Sequence, residues 1–228
     1  MEETTLENKC EYCGKVFKKQ QTLFVHVCEQ KRRALAKHDK HVVIGYTAFT
    51  QFYKYQFSST QKTYDEFCKS KYYNGFVKFG SFVNNVKPLY PDNFITYVIN
   101  SGIKIDDWCK DELYDKYVVE LIKTENVDTA LTRSIKYMIE WGDKNNQEWN
   151  QYFSLVSLPR ATYDIKDGKI SPWIILNSQS GKELVKKFND EQLNSISLVI
   201  DPLYWVNKFK RYPSDVTFAK QLIKESNI

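Results

Sequence analysis

Glycine and proline are scarce in this chain, with 8 and 6 residues among 228. A many-stranded sheet needs frequent tight turns. Few are encoded here, which favours long helices. Histidine is rarer still: there are three, all at or before position 41. Residues 42–228 therefore contain no His-based general acid or base, no Ser-His-Asp triad and no His-ligated catalytic metal. Neither phosphate-cradling glycine motif occurs, and Gly181-Lys182-Glu183 is an isolated fragment of one. No apolar run approaches the roughly 18 residues of a membrane span. The opening MEETTLENKC lacks the basic and apolar regions of a signal peptide. A cytoplasmic protein is expected, in which five cysteines serve as thiols or metal ligands rather than disulfides.

What is present supports a folded chain. Aromatic residues make up 15%, enough for a sizeable core. The net charge of +5 is modest, but it is unevenly spread. The first seven residues are acidic, whereas 9–41 hold 9 basic against 3 acidic side chains. A positive field so placed suits a polyanion.

Local signals point to helices. Thr63-Tyr64-Asp65-Glu66 is a capping-box pattern. Tyr72, Phe76, Phe79, Val83 and Val86 then recur at three- and four-residue spacing. Asp106 or Asp107 is expected to cap a helix carrying Cys109, Leu113, Tyr117 and Leu121. Asp128 is expected to cap one carrying Leu131, Ile135 and Met138. Ser171-Pro172 and Asp201-Pro202 read as N-cap plus first-turn proline, and Ser214 as the opening of a last helix. Val42-Val43-Ile44 reads as a short strand or a packed linker. The expectation is a mainly α protein: a small N-terminal Cys- and His-bearing module over 8–29, a basic linker or helix extension over 30–41, and an all-helical, multi-helix domain over 42–228.

Cys10 and Cys13 form a C-x2-C knuckle with Gly14 behind it; His26 and Cys28 follow. A tetrahedral zinc site needs four such ligands on a chain able to turn around the ion. Phe17 and Leu23 supply the small apolar core. Cys10, Cys13, Phe17, Leu23 and His26 resemble the classical two-Cys, two-His finger at every step of C-x2-C-x3-F-x5-L-x2-H. The departure is the single residue between His26 and Cys28. Residues i and i+2 diverge on a helix, so either the helix unwinds at His26 or the fourth ligand is His38, His41, Cys68 or Cys109. Cys28 is the preferred choice.

If the finger docks as the classical family does, a helix begins near Lys19, and Lys19, Gln21, Thr22 and Val25 face the bases. Lys18, Lys19, Gln21 and Thr22 can then reach phosphates or base edges. Lys31, Arg32, Arg33, Lys37 and Lys40 read as phosphate contacts, which raise affinity without reading sequence. Downstream, Asp106, Asp107, Asp111 and Glu112 are the densest carboxylates, read first as helix caps and second as a Mg²⁺ site. Cys68 and Cys109 are expected in the core. Tyr204, Trp205, Lys208, Phe209, Lys210, Arg211 and Tyr212 interleave rings with cations. They read first as a core helix with a basic wet face, and second as a single-strand surface.

The stretches CEYCGKVFKKQQTLFVHVCEQKRR, SKYYNGFVKFG and KISPW also resemble uncharacterised zinc-finger proteins of large tailed phages. The resemblance implies no set activity. The expected role is a non-catalytic, nucleic-acid-binding accessory protein of replication, recombination or transcription. It would bind DNA in preference to RNA and could also contact a replication or transcription protein. The alternatives are an adaptor whose finger docks a protein, and a metal-dependent nuclease using the carboxylates.

Overall fold

A computed structural model of the chain describes residues 8–57, 62–88 and 90–228. The acidic leader read from the sequence lies outside them. Among the described residues there are fifteen α-helices, three 3-10 turns and no strand beyond one isolated bridge. The mainly α expectation holds. The chain forms two compact units, one of residues 1–84 and 95–109, the other of 85–94 and 110–228. This division cuts through the stretch 42–228 read above as one domain.

The first unit begins with α1 (Gln20–Phe24), α2 (Glu29–Leu35) and α3 (Lys40–Phe57). The basic segment after the finger is therefore largely helical. Val42-Val43-Ile44 lies in α3 as well, so it is neither strand nor linker. Its β-branched residues are over-ruled by packing: Val42 is buried on the α3 face that also carries Ala48, Phe49 and Phe52. Next come α4 (Tyr64–Lys69), α5 (Tyr73–Val86) and α6 (Asp92–Asn100), of which the last two each cross the division between the units. The Thr63–Glu66 capping box forms as expected and starts α4.

Glycines let α3 and α5 touch through their backbones. A Cβ on Gly80 would sit 1.9 Å from the His41 carbonyl oxygen, and one on Gly45 2.7 Å from that of Phe76. Beside this crossing Phe49, Phe52, Phe76 and Trp108 pack ring against ring, edge to face except for the tilted Phe76–Trp108 pair. Trp108 is fully buried and sits in a 3-10 turn over Ile105–Cys109.

That turn corrects two expectations. Asp106 and Asp107 belong to it and cap no α-helix, because the extended backbone of Lys110 interrupts the chain before the next helix. Cys109, expected in the core, is exposed, while Cys68 is buried as expected.

The second unit holds α7 (Asp111–Thr124), α8 (Val127–Asn145), α9 (Tyr152–Leu155), α10 (Leu158–Lys166) and α11 (Pro172–Asn177). It continues with α12 (Gln179–Lys186), α13 (Asp190–Ile196), α14 (Pro202–Arg211) and α15 (Pro213–Glu225). Ser171 and Asp201 cap α11 and α14 as expected. The α8 cap is Asn126 rather than Asp128, which lies inside the first turn. The last helix starts at Pro213, one residue before Ser214.

Two buried ionic groups hold this unit. Glu125 pairs with Arg133, which also donates to the Gly168 carbonyl. Asp164, fully buried, accepts from Tyr152 Oη at 2.9 Å and Arg160 Nε at 2.9 Å, and pairs with Lys169. Buried charges persist when they are paired and hydrogen-bonded in this way.

Candidate metal centre and finger surface

A short knuckle sets the first two ligands. Lys9 and Val16 form the isolated antiparallel bridge. Cys10 N–H donates to Lys15 O at 2.9 Å, and Phe17 N–H to Asn8 O at 2.8 Å. Gly14 turns the chain with φ +72°, a conformation glycine adopts without steric cost.

The close spacing of the other two ligands is resolved by a break between helices. α1 ends at Phe24, two residues before His26, so His26 is not helical. Cys28 has extended backbone, with φ −93° and ψ 167°, and is the N-cap of α2; its Sγ accepts from Lys31 N–H at 3.4 Å. The chain from Val25 to Cys28 is thus free to bring both side chains inward. The other histidines and cysteines are not needed to complete the set.

The ligand atoms of Cys10, Cys13, His26 and Cys28 all lie within 4.8 Å of one another, and the group could hold a metal ion. Cys10 Sγ and Cys28 Sγ are 3.9 Å apart; Cys13 Sγ and His26 Nε2 are 3.4 Å apart. A tetrahedron built with ordinary zinc–sulfur and zinc–nitrogen lengths has edges of about 3.8 and about 3.6 Å. The two pairs therefore match opposite edges of such a site. The Phe17 ring packs 4.7 Å from that of His26 and backs the cluster.

The electrostatics also suit a cation. The backbone N–H of Cys13 is the largest influence on the Cys10 thiol and lowers its pKa, against the opposing effect of burial. For Cys13 the largest influence is the Lys15 N–H, which lowers its pKa. Burial and the neighbouring thiols of Cys10 and Cys28 outweigh it, and the net direction is upward. Three sulfurs this close resist ionising together, and a divalent ion relieves that repulsion.

The residues expected to meet nucleic acid separate into two sets. Lys18, Lys19, Gln21 and Thr22 are exposed around the start of α1. Lys40 is exposed, and so is Lys37, whose Nζ sits 5.6 Å from the Tyr64 ring centre. Arg32 is exposed and paired with Glu29. Lys31 is half-buried and donates to the His26 carbonyl at 3.4 Å.

Arg33 departs from its expected role as a phosphate contact. Its guanidinium donates to the carbonyls of Cys68 and Ser70 at 3.0 and 3.1 Å, pairs with Glu29 and lies 4.4 Å from the Tyr73 ring centre. It ties α2 to α4 and to the start of α5, which leaves little of it for a ligand.

From the sequence Val25 has a base-facing place, but no role falls to Phe24 or Val27. Phe24, Val25 and Val27 are 84%, 73% and 59% exposed. The signal was there in FVHV, since a finger core needs only Phe17 and Leu23 and these three are surplus to it.

The carboxylates of 106–112 are placed less productively. Asp106 and Asp107 sit in the 3-10 turn, and Asp111 and Glu112 in the first turn of α7. Among the described residues, the Cys/His group is the one cluster able to hold a metal. In the ring-and-cation segment, Trp205 is buried against Trp173 while Lys210, Arg211 and Tyr212 are exposed. Among the described residues no helix is long and apolar enough to cross a membrane.

Comparison of the chain with protein-family models, with curated proteins and with solved structures finds no match.

Proposed function

We propose that Cys10, Cys13, His26 and Cys28 bind one structural zinc ion, and that the resulting finger with its basic helix binds nucleic acid. Four protein ligands leave no open coordination position, which fits a structural rather than a catalytic metal. The role is that of a non-catalytic accessory protein, with DNA preferred to RNA. Replication, recombination or transcription is the setting such a role would have.

The observation that carries the reading is the exposure of Lys18, Lys19, Gln21 and Thr22 around α1, next to the metal cluster. Lys37 and Lys40 extend the positive surface, and Arg32 adds to it when Glu29 releases it. α1 is only five residues long, so base readout through it is limited. Phosphate contacts then dominate affinity and make it salt-sensitive.

The exposed Phe24, Val25 and Val27 favour a second reading, in which the finger docks a protein. One experiment separates the two. Labelled single- and double-stranded DNA are titrated into zinc-loaded protein at low and moderate salt, beside Cys13→Ser and Lys18→Glu/Lys19→Glu variants. Binding that weakens with salt and falls in both variants supports the nucleic-acid reading. A folded, zinc-loaded protein that binds neither strand form at low salt overturns it for DNA and moves the finger to the docking role.

A further inference from the structure

The second unit contains a cleft of about 530 Å³ between the α7–α8 connection and helices α14 and α15. It lies in a different unit from the finger and owes nothing to the reading above. Lys123, Lys208 and Arg211 line it with Tyr212, Asn126 and Asn207. Its carboxylates do not cancel the three cations. Glu125 is buried and already paired with Arg133, which leaves Asp215 as the one open counter-charge among the lining residues.

Lys208 is placed for an anion. Its Nζ lies 5.2 Å from the Trp205 ring centre and 5.6 Å from that of Trp173. One proton goes to the Lys123 carbonyl at 2.5 Å, which also accepts from Tyr204 Oη at 2.9 Å. Burial lowers the Lys208 pKa, against the pull of Glu125 and Asp215. A bound anion would offset that burial directly.

The remaining surface is shaped for more than a bare anion. Tyr212 lines the cleft and is 44% exposed, which leaves an accessible ring for a base. Asn207 is exposed, with an amide able to pair with donor and acceptor edges, while Asn126, whose Oδ1 caps α8, has its amide donors to offer. Trp173 also lines the cleft, and its buried indole N–H has no acceptor among the described residues. The volume is within the range of small-molecule sites. Cations for a phosphate, an open ring for a base and amides for its edge meet in one concavity.

We infer that this cleft binds a nucleotide unit, with phosphate on Lys123, Lys208 and Arg211 and the base against Tyr212. The unit is either a free mononucleotide or one residue of a single strand.

Calorimetric titration of the full zinc-loaded chain with AMP, adenosine, inorganic phosphate and a short single-stranded oligo-dA tests this. AMP or the oligomer should bind saturably, and adenosine and phosphate each more weakly than AMP. Arg211→Gln should weaken binding about tenfold, the loss of one hydrogen bond to a charged group. Tyr212→Ala should weaken AMP but leave phosphate unchanged. Both side chains are exposed, and unaltered circular dichroism checks that the variants fold. Cys13→Ser should leave AMP binding intact, which separates this site from the finger. Tighter binding of the oligomer that persists in Cys13→Ser and falls in Arg211→Gln assigns the cleft to a strand, and equal or tighter binding of AMP to a free nucleotide. No saturable binding of either, or binding indifferent to Arg211→Gln, overturns the inference.

Discussion

Cys10 Sγ stands 3.9 Å from Cys28 Sγ across 18 residues of chain, a separation set by the backbone break that follows α1. From this contact the purified protein is expected to carry one zinc ion. Replacing zinc by cobalt should give the visible absorption of a tetrahedral thiolate site. Cys28→Ser should lower metal affinity by more than about 100-fold, since losing even an outer partner of a ligand costs roughly 10–100-fold. His41→Ala and Cys109→Ser should leave the cobalt spectrum unchanged. A spectrum that survives Cys28→Ser but not one of those would reassign the fourth ligand.

Arg32 and Arg33 are adjacent but should behave differently. Arg33→Ala removes two part-buried carbonyl partners, an ion pair with the half-exposed Glu29 and the Tyr73 ring contact. A loss of about 2–3 kcal/mol of stability is expected. Arg32→Ala breaks only an exposed pair and should cost less than about 1 kcal/mol. In DNA binding the order should reverse, with Arg32 contributing through its charge. Equal melting temperatures for the two variants would remove the packing role given to Arg33.

The Glu125–Arg133 pair is buried on both sides. Arg133→Met leaves the Glu125 carboxylate without its partner and the Gly168 carbonyl without its donor, and should cost about 3–5 kcal/mol. The double replacement Glu125→Leu/Arg133→Met should cost clearly less, because the uncompensated charge goes with it. Denaturant unfolding of the two single variants, the double variant and the parent closes the cycle. Additive losses would show that the pair is not coupled.

The capping box makes α4 sensitive to acid. The Thr63 N–H, then the Lys62 ammonium, hold the Glu66 carboxyl at about 2, below its ordinary 4.5. A depressed carboxyl contributes stability above its unfolded value and loses it as pH falls toward the folded one. The parent should therefore exceed Glu66→Gln in stability at pH 5 and above. That advantage should shrink between about pH 4.5 and about pH 2. A difference independent of pH across this window would contradict the charge role of Glu66.

Much of the fold was legible because it depends on local chemistry. The Thr63 box and the Ser171-Pro172 and Asp201-Pro202 caps involve groups within three residues of each other, and all formed. The metal cluster was legible because its ligands and core positions recur at fixed spacing. The misplaced cap at Asp107 has a different cause. Nothing local marks Asp107 as part of a 3-10 turn rather than a helix start; the burial of Trp108 against Phe52 and Phe76 decides it.

The sequence by itself determined the helical class, the candidate ligands Cys10, Cys13, His26 and Cys28, and the positive charge that follows them. Only the tertiary structure decided that α1 stops at Phe24, that Arg33 faces inward while Arg32 faces water, and that Lys123, Lys208 and Arg211 share a cleft. The physical reason is range. Caps, periodicity and ligand spacing are set by neighbours along the chain, whereas the environment of a long cationic side chain is set by residues tens of positions away.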